Sequence, residues 1–135
     1  MLPDLEHVIR HATRAHKEGF IIESLQVLHG LIELLLRELI MSNRAVDEAH
    51  EHFDLAYDTM FEIPSNIAIK VLFVQKVITK TERDELVRFN SLRNGIVHKI
   101  FTEKTIEPDE SQYQGALNLG IRVAELLTNK VYKGG

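Results

Sequence analysis

Arg93-Asn94-Gly95-Ile96-Val97-His98 places a permanent cation, a side-chain amide and a titratable imidazole on one short stretch of chain. An arginine offers a two-pronged clamp for phosphate. A histidine passes protons near neutral pH. Together they could cleave RNA without a metal. The imidazole would activate the ribose 2′-hydroxyl or protonate the leaving oxygen. The guanidinium would stabilise the charge that builds on the phosphorane-like transition state. The 2′-hydroxyl is the internal nucleophile in that chemistry, so DNA would not be cut. Lys99, directly after the histidine, is the expected contact to an RNA phosphate.

The setting sharpens the pattern. These residues lie inside an expected helix, where Gly95 costs about 1 kcal/mol relative to alanine. Close approach by another helix or by a ligand would offset that cost. Asn94 and His98 are four apart and share a face. Arg93 and His98 are five apart and diverge by about 140° on an ideal helix. The arginine could reach round, the helix could distort near Gly95, or two copies could pool residues. The favoured expectation is a homodimer in which Gly95 lets two helices approach. A salt-bridged Arg93 and a His98 satisfied in the core would account for the same residue types without any chemistry.

The elements that must position this segment are helical. Leu5, Val8, Ile9 and Ala12 recur at helical spacing from about Pro3 to Glu18, with Gly19 as the stop. Leu25, Leu28, Ile32, Leu35, Leu36 and Leu39 give a second, central helix from Phe20 to Met41. Ser42-Asn43 should break it. Phe53, Tyr57 and Met60 fit a further stripe within an ambiguous acidic segment, Val46 to Phe61. Pro64-Ser65-Asn66 should cap a helix reaching Val77. Thr79 and Glu82 stand at capping-box spacing before a helix to about Phe101. Leu86, Phe89, Leu92, Ile96, Val97 and Ile100 are its expected buried side. The last helix starts near Pro108, with Tyr113, Leu117, Ile121, Ala124 and Leu127 facing inward. No stretch alternates with period two, so the expected class is all-α, a four- to five-helix up-and-down bundle in one domain spanning 1–135.

Composition narrows the function. The net charge of −4 argues against a generic, salt-driven nucleic-acid binder. The distribution is uneven. Lys76 to Lys104 carries seven Lys/Arg against four acids, so it is +3 and the remainder is −7. Solvated helix faces would explain this, and so would a local anion site on an acidic body. The absence of Cys excludes disulfides and thiolate metal sites. Met1-Leu2-Pro3-Asp4 does not read as a signal peptide. Glu23, Glu33, Arg37 and Glu38, with His29, interrupt the apolar run from Phe20 to Met41, so no membrane partner is expected. A cytoplasmic location is the expectation.

The Arg93-to-His98 segment resembles the R-x4–6-H signature of the HEPN superfamily, including a polar residue, Asn94, directly after the arginine. Phe89-Asn90-Ser91-Leu92 leading in, His98-Lys99-Ile100-Phe101 leading out, and the apolar helix around Leu31 to Leu36 are similar to the same family. The likeness covers roughly Leu5 to Val131. It implies a HEPN-type bundle, usually a homodimer with the motif near the dimer cleft. Many members are metal-independent endoribonucleases of toxin–antitoxin, CRISPR and phage-defence systems, and others only bind. Carried over, Arg93 and His98 would be the catalytic pair and Asn94 a supporting residue, with RNA as partner and no cofactor. Toxins modified by a partner nucleotidyltransferase commonly have Tyr two residues after the histidine. Here Ile100 stands there, followed by Phe101, so a nucleotidyltransferase-type antitoxin is the least supported of the implied partners.

Two other groups stand out. His7 and His11 are four apart, with His16 near, and His50 and His52 lie among Glu48 and Glu51. A metal needs three or four converging ligands, and exposed polar histidines are the expected reading, with no metal site. Glu33, amid the most apolar helix, needs a partner if buried. Arg93 from another helix is the candidate, and equally Glu33 could point to solvent, with Arg37 one turn on. The alternative to a ribonuclease is a non-catalytic HEPN-type module that binds RNA, a nucleotide or a protein. A structural helical adaptor is a third reading.

Overall fold

A computed structural model describes residues 4–48, 52–102 and 109–132. These residues form six helices and no strand. They are α1 (Leu5–Lys17), α2 (Ile21–Glu48), α3 (Phe53–Phe61), α4 (Ser65–Val74), α5 (Lys80–Thr102) and α6 (Glu110–Tyr132). The all-helical expectation holds. The number exceeds the expected four to five because the ambiguous acidic segment divides between the end of α2 and a separate α3.

Helix α2 is the axis. It packs most extensively on α6 and α1, and also touches α3, α4 and α5. Its stripe explains why: Leu25, Leu28, Ile32, Leu35, Leu36 and Leu39 are each at most 1% exposed. Burying one such side chain contributes about 1.5–3 kcal/mol relative to leaving it in water. The same core takes in Ala12 of α1, Ile69 and Leu72 of α4, Leu86, Phe89 and Ile96 of α5, and a long face of α6.

Helix ends follow local chemistry. The Asp4 carboxylate accepts from the Glu6 N–H at 3.1 Å, and Gly19 takes the left-handed turn after α1 at φ +86°. At the start of α5 the capping box is reciprocal: the Thr79 N–H donates to Glu82 Oε1 at 2.8 Å, and the Glu82 N–H donates to Thr79 Oγ1 at 3.2 Å. Lys130 of α6 reaches the same carboxylate at 3.2 Å, tying the start of α5 to the end of α6. Asp109 caps α6 by accepting from the Gln112 N–H at 3.0 Å. Pro3 and Pro108, assigned to helix ends from the sequence, lie outside the described residues.

Two expected boundaries are corrected. Ser42-Asn43 does not break α2, which continues to Glu48. The Ser42 hydroxyl donates back to the Leu39 carbonyl at 3.3 Å, so it serves the helix it was expected to end. Helix α4 stops at Val74, short of Val77. Lys76 turns left-handed at φ 62°, and the Val77 N–H bonds back to the Leu72 carbonyl at 2.9 Å, closing the helix.

The glycine that fixes a helix crossing is Gly120. A Cβ there would lie 2.6 Å from Phe89 Cε1 and 2.9 Å from Leu28 Cδ1, both on fully buried side chains. At Gly95 a Cβ would meet nothing within 4 Å. Gly120→Ala is expected to lower stability by about 1 kcal/mol, because overpacking costs about 1–3 kcal/mol against a propensity gain of about 1 kcal/mol. Gly95→Ala is expected to raise stability in the same urea-unfolding measurement.

Candidate functional site

Helix α5 carries the expected site residues on two different faces. Phe89 and Ile96, both fully buried, mark its inner side. Arg93 lies near that side, half-buried. His98 stands two residues after Ile96, about 200° round the helix, and is exposed, as are Asn94 and Lys99. The helix runs unbroken from Lys80 to Thr102, so no distortion at Gly95 swings the two together. The His98 side chain has no hydrogen-bond partner among the described residues. Its backbone carbonyl accepts from the Thr102 hydroxyl at 2.8 Å.

Arg93 crosses to α2. Nε and Nη2 both donate to Gln26 Oε1, at 3.2 and 2.5 Å. Nη1 donates to Asn94 Oδ1 at 2.9 Å. Both acceptors are neutral, and among the described residues no carboxylate pairs with this guanidinium. Its neighbours on the chain differ. Lys80 and Arg83 both pair with Asp84 at 2.8 Å, while Glu82 and Glu85 are taken by Lys130 and Arg122 of α6. Arg88, Arg93 and Lys99 are left without an acid among the described residues, which gives the excess positive charge of this segment a structural basis.

Glu33 resolves in favour of its own helix. Its Oε2 lies 3.6 Å from Arg37 Nη2, and its Oε1 lies 3.2 Å from His29 Nδ1. It makes no ion pair with Arg93. Arg37 continues outward, donating to the carbonyls of Met60 and Phe61 at 3.1 Å each and lying 4.9 Å from the Phe61 ring centre. That grip suits the negative end of α3.

His29 is the residue that reading the sequence missed. Its side chain is 16% exposed. Burial holds its imidazole below the usual range, and the Arg93 guanidinium pushes the same way. Glu33 opposes them, and Arg37 adds to the lowering. Gln26, His29, Glu33 and Arg37 stand at spacings of three, four and four, one polar stripe on an otherwise apolar helix. That spacing was visible in the sequence. The partner on α5 was not.

Other candidates do not converge. Among the described residues, no three His, Asp or Glu side chains form a group able to hold a metal. His11 meets Glu23 at 3.3 Å, and both are exposed. His50 lies outside the described residues. No helix among them is long and apolar enough to cross a membrane. A cavity of about 700 Å³ opens between the α1–α2 turn and the facing ends of α5 and α6, beside Phe20, Ile21, Ile100 and Tyr113. Arg93, Asn94 and His98 do not line it.

The electrostatics around His29 are directly checkable. Arg93→Gln is expected to raise the His29 pKa and Glu33→Gln to lower it further, followed by the imidazole proton resonances in an NMR titration. The unfolded histidine binds its proton near 6.5, and the folded one only at lower pH. The unfolded state therefore holds more protons in that window, and stability falls as pH drops below about 6.5. His29→Gln should flatten that slope in urea unfolding at pH 7 and 5.

Compared with family models, with curated proteins and with solved structures, the chain finds no match in any of the three.

Proposed function

We propose that the chain is a metal-independent endoribonuclease of the HEPN type, a toxin or defence component that cuts RNA through attack of the ribose 2′-hydroxyl. The observation that carries this reading is the state of the two key residues. An arginine kept for stability would be paired with an acid, and a histidine kept for packing would be satisfied in the core. Arg93 is instead held by neutral oxygens and keeps its charge for an anion, and among the described residues the exposed ring of His98 has no partner. Asn94 supports Arg93, and Lys99 meets the RNA backbone.

Because Arg93 and His98 leave α5 in different directions, the working site is a homodimer in which each site takes Arg93 from one copy and His98 from the other. Among the described residues nothing lies within 4 Å of where a Gly95 Cβ would stand, and Gly95 lies between them in sequence, where a second helix would approach. The engagement of Arg93 by Gln26 also fits a second reading, a non-catalytic binding module in which that contact fixes the arginine as an RNA or protein anchor.

The wild-type protein is expected to cut a mixed-sequence RNA in excess EDTA, leaving 2′,3′-cyclic phosphate ends and sparing DNA. Arg93→Ala and His98→Ala should each lose about 100-fold or more. Mixing the two inactive variants should restore about a quarter of the activity, since half the dimers become mixed and one of their two sites is intact. Cleavage that survives both substitutions would sink the ribonuclease reading. RNA binding without cleavage by the wild type would favour the binding module.

A further inference from the structure

Proton transfer by His98 covers only one side of the proposed reaction. Internal attack by a 2′-hydroxyl needs a group to take the hydroxyl proton and a group to supply one to the departing oxygen. The stripe on α2 contains a group suited to the first task. His29 Nδ1 lies 3.2 Å from Glu33 Oε1, so a carboxylate stands beside one ring nitrogen and leaves the other, Nε2, for a substrate. Nε2 makes no hydrogen bond among the described residues. Glu33 is itself steadied by Arg37. Arg93 comes to the same place from α5, anchored on Gln26 one turn before His29.

The geometry points to His29 as a catalytic residue, the general base that takes the 2′-hydroxyl proton beside the Arg93 phosphate clamp, with Glu33 as the positioning residue that orients it. This rests on the ribonuclease reading. The 2′-oxygen gives its proton to His29 Nε2 and forms a bond to phosphorus. The bond from phosphorus to the 5′-oxygen breaks, and that oxygen takes a proton from the imidazolium of His98 of the second copy. The products are a 2′,3′-cyclic phosphate and a 5′-hydroxyl, and the two histidines exchange their protons with solvent.

The surroundings favour a base over an acid at this position. The charged groups that bear on His29 are Glu33 and Arg37 from its own helix and Arg93 from α5. Burial and the two arginines favour the neutral ring, the form that accepts a proton. Glu33 alone opposes them, and it becomes useful once the ring has been protonated. The arrangement joins a base, its orienting acid and an unpaired cation across one seam between two helices.

The decisive experiment measures cleavage of a fluorophore-labelled oligoribonucleotide in EDTA between pH 4.5 and 8.5, using the full chain. Wild type, His29→Asn, His29→Ala, Glu33→Gln and His98→Ala are compared, each checked for helix content by circular dichroism. For His29→Asn the expected result is a fall in kcat of about 100-fold with KM little changed. The decline in rate towards acid pH expected of the wild type should vanish in this variant. Added imidazole should restore part of the activity of His29→Ala, which a merely structural role would not allow. Glu33→Gln should keep the acid-side decline but move it to lower pH. If His29→Asn keeps the wild-type rate and pH profile while His98→Ala is dead, the base role is overturned and the ribonuclease stands. If the folded wild type cuts no RNA, both fall together.

Discussion

Helix α2 is the constraint on which the molecule depends. It touches all five other helices, so most directions around it are claimed by the core. A helix so placed can carry polar residues only where its neighbours leave room. Helix α5 packs mainly on α6 and α4 and meets α2 along a narrow seam. Gln26, His29, Glu33 and Arg37 occupy the polar stripe that results. Within it Glu33 is the hinge, because a partly buried carboxylate needs compensation. Arg37 compensates it on one side, and the His29 ring lies against its other oxygen. Through Arg37 the same carboxylate is linked to the carbonyls that end α3. One acid thus couples the placement of a peripheral helix to the ionisation of a histidine.

What was legible in the sequence was whatever a single element encodes. The six apolar residues of α2 announced the core because their spacing allows no other buried face. Thr79 and Glu82 announced the start of α5 because a capping box is closed within four residues. Ser42-Asn43 misled because a hydroxyl can cap a new helix or bond back into the old one, and the residues alone do not decide which. The end of α4 was hidden for a related reason. Lys76 takes a left-handed conformation that usually costs a non-glycine residue about 1–2 kcal/mol. The closing bond to Leu72 and the burial of Ile78 just beyond hold it there.

The glycines show where reading one helix at a time stops. Gly95 drew notice because it interrupts a motif, yet nothing among the described residues crowds it. Gly120 drew none, and it is the one where Phe89 and Leu28 converge. That convergence exists only once three helices have been brought together. The site divides in the same way. Arg93, Asn94 and His98 could be chosen by type and spacing. The pairing of Arg93 with Gln26, and its influence on His29, depend on how α5 crosses α2.

A straight helix cannot aim residues five apart at one atom, and α5 is continuous through the motif. Arg93 is committed to α2 by two hydrogen bonds to Gln26, and turning it towards His98 would break them. The chain therefore presents two separate polar groups. One is a seam holding a cation and a partly buried histidine beside a carboxylate. The other is an exposed face bearing Asn94 and His98. Neither group contains a base, an acid and an anion clamp together. If the chemistry is acid–base cleavage of a phosphodiester, the face of one copy must meet the seam of another, and dimerisation becomes a condition for catalysis.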